Sequence, residues 1–198
     1  SPLHAEEVTP YEELVQARLR EAIAATSQLP EGLWKPDPGQ GIYMALLFLS
    51  ENKNLEEAER IIAAHCGNPL TEYLGKPVPQ SRNEGVFRIY LTRTTRERLS
   101  PKAKATIEDF AWLLLTEHHR GITRADADKP LWLFSSSENH DVNDRRRYTL
   151  ALQIVRMSER YGPAHMLGDE SVESHYQAWT KFWIRCFEAR ADEGTDME

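Results

Sequence analysis

Apolar residues recur at spacings of three and four along most of this chain, a period that marks amphipathic helix rather than strand. Tyr11, Leu14, Val15, Leu19, Ala22 and Ile23 form the first such stripe. Residues 29–41 interrupt it with three prolines and three glycines. Asp37 followed by Pro38 reads as a cap and first turn. They open the stretch 42–49, which is apolar on every side and is expected to be a central, buried helix. Asn54 with Glu57 makes a variant capping box for the stripe Leu55, Ala58, Ile62, His65 and Cys66, which stops at Gly67.

Residues 67–85 read as a long irregular segment with three prolines. The stretch 86–91 is β-branched and aromatic enough to be a strand, and helix is the reading preferred here. Ser100-Pro101 starts a helix whose inner face is Ile107, Phe110, Ala111, Leu114 and His118, with Gly121 at its end. A long connection, 121–140, precedes a helix that begins near Val142, points Tyr148, Ala151, Leu152 and Val155 inward, and closes near Gly162. A last helix carries Val172, Tyr176, Trp179, Trp183 and Cys186 on one stripe. The pattern gives six or seven helices in antiparallel hairpins, with no fixed-period repeat: an all-α fold with residues 1–198 as a single helical domain.

Composition narrows the class. With 198 residues the chain can bury a substantial core, and 40% hydrophobic with 28% charged residues describes a globular protein. A net charge of -7 argues against nucleic acid as the partner, since phosphate binding needs clustered Lys and Arg. The densest basic run, Arg145-Arg146-Arg147, sits beside Asp141 and Asp144 and is locally half neutralised. No apolar stretch approaches the ~20 residues that span a bilayer, so no membrane partner is expected. Cys66 and Cys186 lack zinc spacing and read as buried thiols, with a single disulfide as the alternative.

Chemistry concentrates in Ser135-Ser136-Ser137-Glu138-Asn139-His140-Asp141, a polar run between Leu131-Trp132-Leu133-Phe134 and a helix. An amide beside an imidazole suits β-elimination on a uronic acid sugar. The amide binds the substrate carboxylate, and the imidazole, or a tyrosine from elsewhere, removes the adjacent C–H proton. Hydrolysis with Glu138 or Asp141 as general acid would need two carboxylates on opposite sides of the scissile bond, which adjacent residues rarely supply. The plainer reading is that Asn139 and Asp141 cap the following helix while His140 bonds a backbone carbonyl.

His118 and His119 form a second candidate. With His140 and Glu138 they would make a mixed metal site, but histidines at a helix C-terminus are well placed against the dipole and the last carbonyls. No metal and no cofactor is expected, and a place lining the cleft of His140 is the modest alternative. Trp34 and Trp132, in the two long connections, have flat faces for sugar rings. Trp112, Trp179 and Trp183 belong to helices. Arg124, Arg145 and Arg146 are candidates for an acidic sugar's carboxylate, against the plainer reading of a solvated face paired with Asp141 and Asp144.

The tract Phe134 to Asp141, with Ser137-Glu138-Asn139-His140 at its centre, resembles a motif of bacterial (α/α)-toroid proteins similar to the helical domains of alginate lyases and heparinase-like polysaccharide lyases. The likeness extends loosely to 82–120. It implies an (α/α) toroid, or part of one, belonging to a lyase of acidic glycans that is secreted or periplasmic. It implies Asn139 and His140 as catalytic residues; the reading of the other residues adds Glu138, Asp141, Trp132, Arg146, His118, His119 and Trp34 around the substrate. In such lyases a tyrosine from a later helix is the usual acid/base. The chain is then expected to be an N-terminal fragment of a longer protein, with a downstream domain or self-association as partner beside the polysaccharide or oligosaccharide. A glycoside hydrolase on the same toroid and a non-catalytic helical scaffold remain the alternatives.

Overall fold

A computed structural model describes residues 38–67, 70–73, 76–79, 83–117, 122–129 and 138–192, with positions 13, 14, 17, 18 and 21; the side chains of 38–40, 70–73, 76–79, 83, 138–141 and 190–192 are outside that description. Its helices are α1 (Pro38–Glu51), α2 (Leu55–Gly67), α3 (Asn83–Leu91), the single turn α4 (Arg93–Arg96), α5 (Pro101–Thr116), α6 (Glu138–Met157) and α7 (Val172–Asp192). Two small antiparallel hairpins join them. One pairs β1 (Leu70–Tyr73) with β2 (Lys76–Pro79), and the other pairs β3 (Met166–Leu167) with β4 (Glu170–Ser171). The fold is mostly helical and built from packed helix pairs. Of the first stripe only Leu14 is described; it is helical and exposed, and the rest of that stripe lies outside the described residues.

The turns follow from local chemistry. Helix α1 ends in a Schellman arrangement: the Lys53 N–H donates to the Phe48 carbonyl at 3.0 Å and Asn52 takes a φ of 55°, a left-handed conformation asparagine tolerates. Arg98 donates to the carbonyls of Leu49, which also accepts from the Asn52 N–H, and of Ser50 at the helix end. At the start of α5 the Ser100 Oγ accepts from the Ala103 N–H at 3.2 Å. The Ser100 N–H and hydroxyl both donate to the Glu59 carboxylate of α2, at 2.7 and 2.8 Å. The cap therefore also fixes α2 against α5.

Helix α1 packs on α2 and α3, α2 on α5, α3 on α5 and α6, and α6 on α5 and α7. One contiguous core runs through them, including Ile42, Leu49, Ile62, Phe87, Ile107, Leu152 and Trp179. Burying each such side chain contributes about 1.5–3 kcal/mol.

Four expectations change. Helix α1 buries one face only: Ile42, Ala45, Phe48 and Leu49 are inside, whereas Tyr43 is 52% exposed. Among the described elements α2, α3 and the turn α4 pack on it. Part of the 67–85 segment is the β1–β2 hairpin, in which Pro77 and Pro79 occupy a two-stranded ribbon that leaves edge positions for residues without an N–H. Helix α6 starts at Glu138 rather than near Val142, so the polar tract runs into its first turn. On α7 the buried line is Val172, His175, Trp179 and Phe182, one step round from the expected Tyr176 and Trp183, which are half-buried. Both lines satisfy the three-four spacing, and His175 is buried because its ring has partners inside. The helix over 86–91 forms as α3, the start at Ser100-Pro101 holds, and Tyr148 is core.

Candidate functional site

Helix α6 carries the last four positions of the tract. Positions 138–141 form its first turn, so positions 139, 143 and 146 share one face and 140, 144 and 147 the next. Asn139 and Arg146 are seven residues apart, about 10 Å along the axis. The side chains of Glu138, Asn139, His140 and Asp141 lie outside the described residues, as do Trp34, His118, His119 and Trp132 altogether. Of the candidate site residues, only Arg146 and the alternative carboxylate binders Arg124 and Arg145 have described side chains.

Arg146 is exposed and forms an ion pair with Glu84 of α3, and its guanidinium also donates to the Asn143 side chain at 3.1 Å. Arg147 is buried; it donates to Asp144 at 2.9 Å, and its Nε stands 4.0 Å from the same Glu84. Arg145 is buried too, with its guanidinium 5.1 Å from the centre of the Phe182 ring of α7. The solvated basic face read from the sequence is thus mainly interior. The three arginines fan out around the helix, and their neutralising partners include Glu84, 62 positions before Arg146, as well as Asp144. Arg124 lies on a 3-10 turn, Arg124–Asp128, where it pairs with Asp128 and stands 3.7 Å from Glu170.

Glu108 and His175 are among the buried polar groups that have no counterpart in the sequence reading. Glu108 of α5 is 6% exposed, and its carboxyl oxygens accept from the Tyr90 hydroxyl at 2.6 Å and the Ser158 hydroxyl at 2.7 Å. Burial, then the bond to Glu108, pushes the Tyr90 hydroxyl well above the usual phenol range. His175 is 7% exposed; its Nε2 lies 3.1 Å from the Leu167 carbonyl and its Nδ1 3.2 Å from the Tyr148 hydroxyl. Burial holds the imidazole below its ordinary pKa. A carboxyl on the inner flank of an apolar helix face was the available signal for Glu108. Nothing in the spacing separates His175 from Tyr176.

Beside them Trp112 stacks on Tyr161 with centroids 5.1 Å apart, and His165 meets both rings edge-on. Tyr161 donates to Asp109 at 2.7 Å. Cys66 and Cys186 are both thiols, and burial pushes Cys66 up to about 12. No helix among the described residues is long and apolar enough to cross a membrane. No protein-family model, curated protein or solved structure matches the chain.

Proposed function

We propose that this chain is the helical portion of a carbohydrate-active protein, a polysaccharide lyase that cleaves acidic glycans by β-elimination. The observation that carries the reading is the placement of positions 138–141 in the first turn of α6. The N-terminus of a long helix favours negative charge, so a uronate carboxylate bound by Asn139 there gains from the dipole as well as from the amide.

In this reading His140 removes the proton from the carbon next to that carboxylate. The bond from the neighbouring carbon to the glycosidic oxygen breaks, a carbon–carbon double bond forms, and the leaving oxygen takes up a proton. Glu138 and Asp141 fix the imidazole tautomer. Arg146, on the face of position 139, addresses a second carboxylate further along the glycan, in competition with Glu84.

The test is incubation of the full-length protein with alginate, heparan and related uronates, following the ultraviolet absorbance of the unsaturated product. Asn139→Ala and His140→Ala are expected to remove that signal. Saturated reducing ends in its place would make the protein a hydrolase, and activity untouched by both substitutions would end the site assignment.

A non-catalytic scaffold is the second reading, favoured by Ile184 and Phe187, which are 49% and 70% exposed and lie one turn apart on α7. It predicts no product from any uronate.

A further inference from the structure

Helix α7 is apolar on two sides. Its buried line, Val172, His175, Trp179 and Phe182, faces the core. With about 3.6 residues per turn, Ile184 and Phe187 point the other way, one turn apart and both exposed. Single apolar side chains scattered over a surface are ordinary. These two adjoin on a face turned from the core, and positions 180 and 191 continue their line with Thr and Ala. The steps along that line are of four, three and four residues, the spacing of a coiled-coil seam.

The charges beside the seam select what covers it. Lys181 and Glu188 lie on one flank, both exposed, and neither has an ion-pair partner among the described residues. Arg185, the cation one turn before Glu188, donates to the Ala127 carbonyl. Consider a second α7 laid antiparallel across the first, related to it by a two-fold axis. Position 184 of each copy then meets 187 of the other, and 180 meets 191. The seam has Ile against Phe in its two central layers and small residues at its ends. The same register sets Lys181 of each copy beside Glu188 of the other. In a parallel, in-register pair those two charges would be two turns apart along the axis, about 10 Å, and would not meet.

We propose that α7 is a self-association surface, on which two copies of this chain pair antiparallel through Ile184 and Phe187 while Lys181 and Glu188 fix direction and register. One helix crossing falls short of the ~1,200–2,000 Å² buried by stable complexes, so the association is weak. The chain is a monomer at about 1 μM and pairs as it approaches about 1 mM.

Sedimentation velocity on the full chain across that range reads the pairing as a rise towards twice the chain mass. Phe187→Ser is expected to weaken it at least tenfold. That side chain is 70% exposed, so the fold has little to lose by the change. Lys181→Glu and Glu188→Lys each turn both attractive pairs into repulsive ones and are expected to weaken association about tenfold. Mixed in equal amounts, the two variants each supply the charge the other lacks. Both pairs are attractive again, and the mixture is expected to associate as the wild type does. No other arrangement of the helices makes two variants that fail alone succeed together.

A chain that stays monomeric at about 1 mM, association indifferent to Phe187→Ser, or a mixture no stronger than its components would each overturn the proposal. A monomer that melts at lower temperature when Phe187 is replaced would overturn it too, and would put a segment of the same chain on that face.

Discussion

Replacing Glu108 by leucine isolates what a buried carboxyl contributes to this fold. The side chain sits between α3 and the turn after α6, accepting from Tyr90 and Ser158 at 2.6 and 2.7 Å. Both donors are buried. Leucine is similar in bulk but accepts nothing, so two hydroxyl hydrogens are stranded inside. Each stranded group costs about 1–3 kcal/mol, which sets the expected loss at roughly 2–6 kcal/mol. Ser158 keeps part of its bonding, because its oxygen accepts from the N–H groups of Arg160 and Tyr161 at 3.1 and 3.3 Å. The larger share therefore falls on Tyr90.

Urea unfolding followed by circular dichroism at fixed pH measures the loss, provided the slope of free energy on denaturant stays constant. The informative comparison is the triple variant Glu108→Leu, Tyr90→Phe, Ser158→Ala. With the donors gone nothing is stranded, and at least half the lost stability should return. Tyr90→Phe and Ser158→Ala alone should cost about 1 kcal/mol each, so the three sites are strongly non-additive. If Glu108→Leu costs less than about 1 kcal/mol, or the triple variant is no more stable than the single one, the account of stranded donors is wrong.

Two further outcomes follow from packing and burial. A Cβ added at Gly85 would lie 2.6 Å from Cγ2 of the fully buried Ile42, so Gly85→Ala should destabilise by about 1–3 kcal/mol despite alanine's better helix propensity. Combining it with Ile42→Ala should cost less than the sum of the two, and additive thermal or urea data would refute the close approach of α1 and α3. Cys66, buried and with its thiol pushed up to about 12, should resist iodoacetamide at pH 8 until the protein unfolds, whereas half-buried Cys186 reacts in the native state. Mass spectrometry showing both labelled at one rate would contradict the burial.

The helices were legible because their apolar faces repeat at the right period, and Ser100-Pro101 marked one start without ambiguity. What escaped was whatever depends on a partner distant in sequence. Glu108 looks like a surface residue until Tyr90 and Ser158, eighteen and fifty positions away, are brought to it. His175 and Tyr176 are equally good candidates for the inner line, and the Leu167 carbonyl decides between them. The β1–β2 hairpin was hidden by its own prolines, which weaken the strand signal while leaving an edge ribbon possible. For the candidate site, the sequence identified the tract and the structure adds its helical first turn and the setting of Arg146.

Helix α6 changes character along its length, and the change bears on what its start is for. From Tyr148 onward its inner positions are Tyr148, Ala151, Leu152 and Val155, an ordinary apolar face. Before that they are Arg145 and Arg147, whose stems are buried while their heads reach Phe182 and Asp144. Aliphatic side chains there would anchor the helix more cheaply, since a buried charge must find its own counter-charge or ring. Arg146 and Arg147 meet Glu84 of α3, Arg147 also meets Asp144, and Arg145 rests on Phe182, while the tract itself adds the carboxylates of Glu138 and Asp141. Because Glu84 holds the exposed Arg146, Glu84→Gln is the informative companion to Asn139→Ala in the uronate assay: under the proposed function it is expected to strengthen the binding of acidic glycan through Arg146 where the other weakens it, and unchanged binding would remove Arg146 from the proposed site.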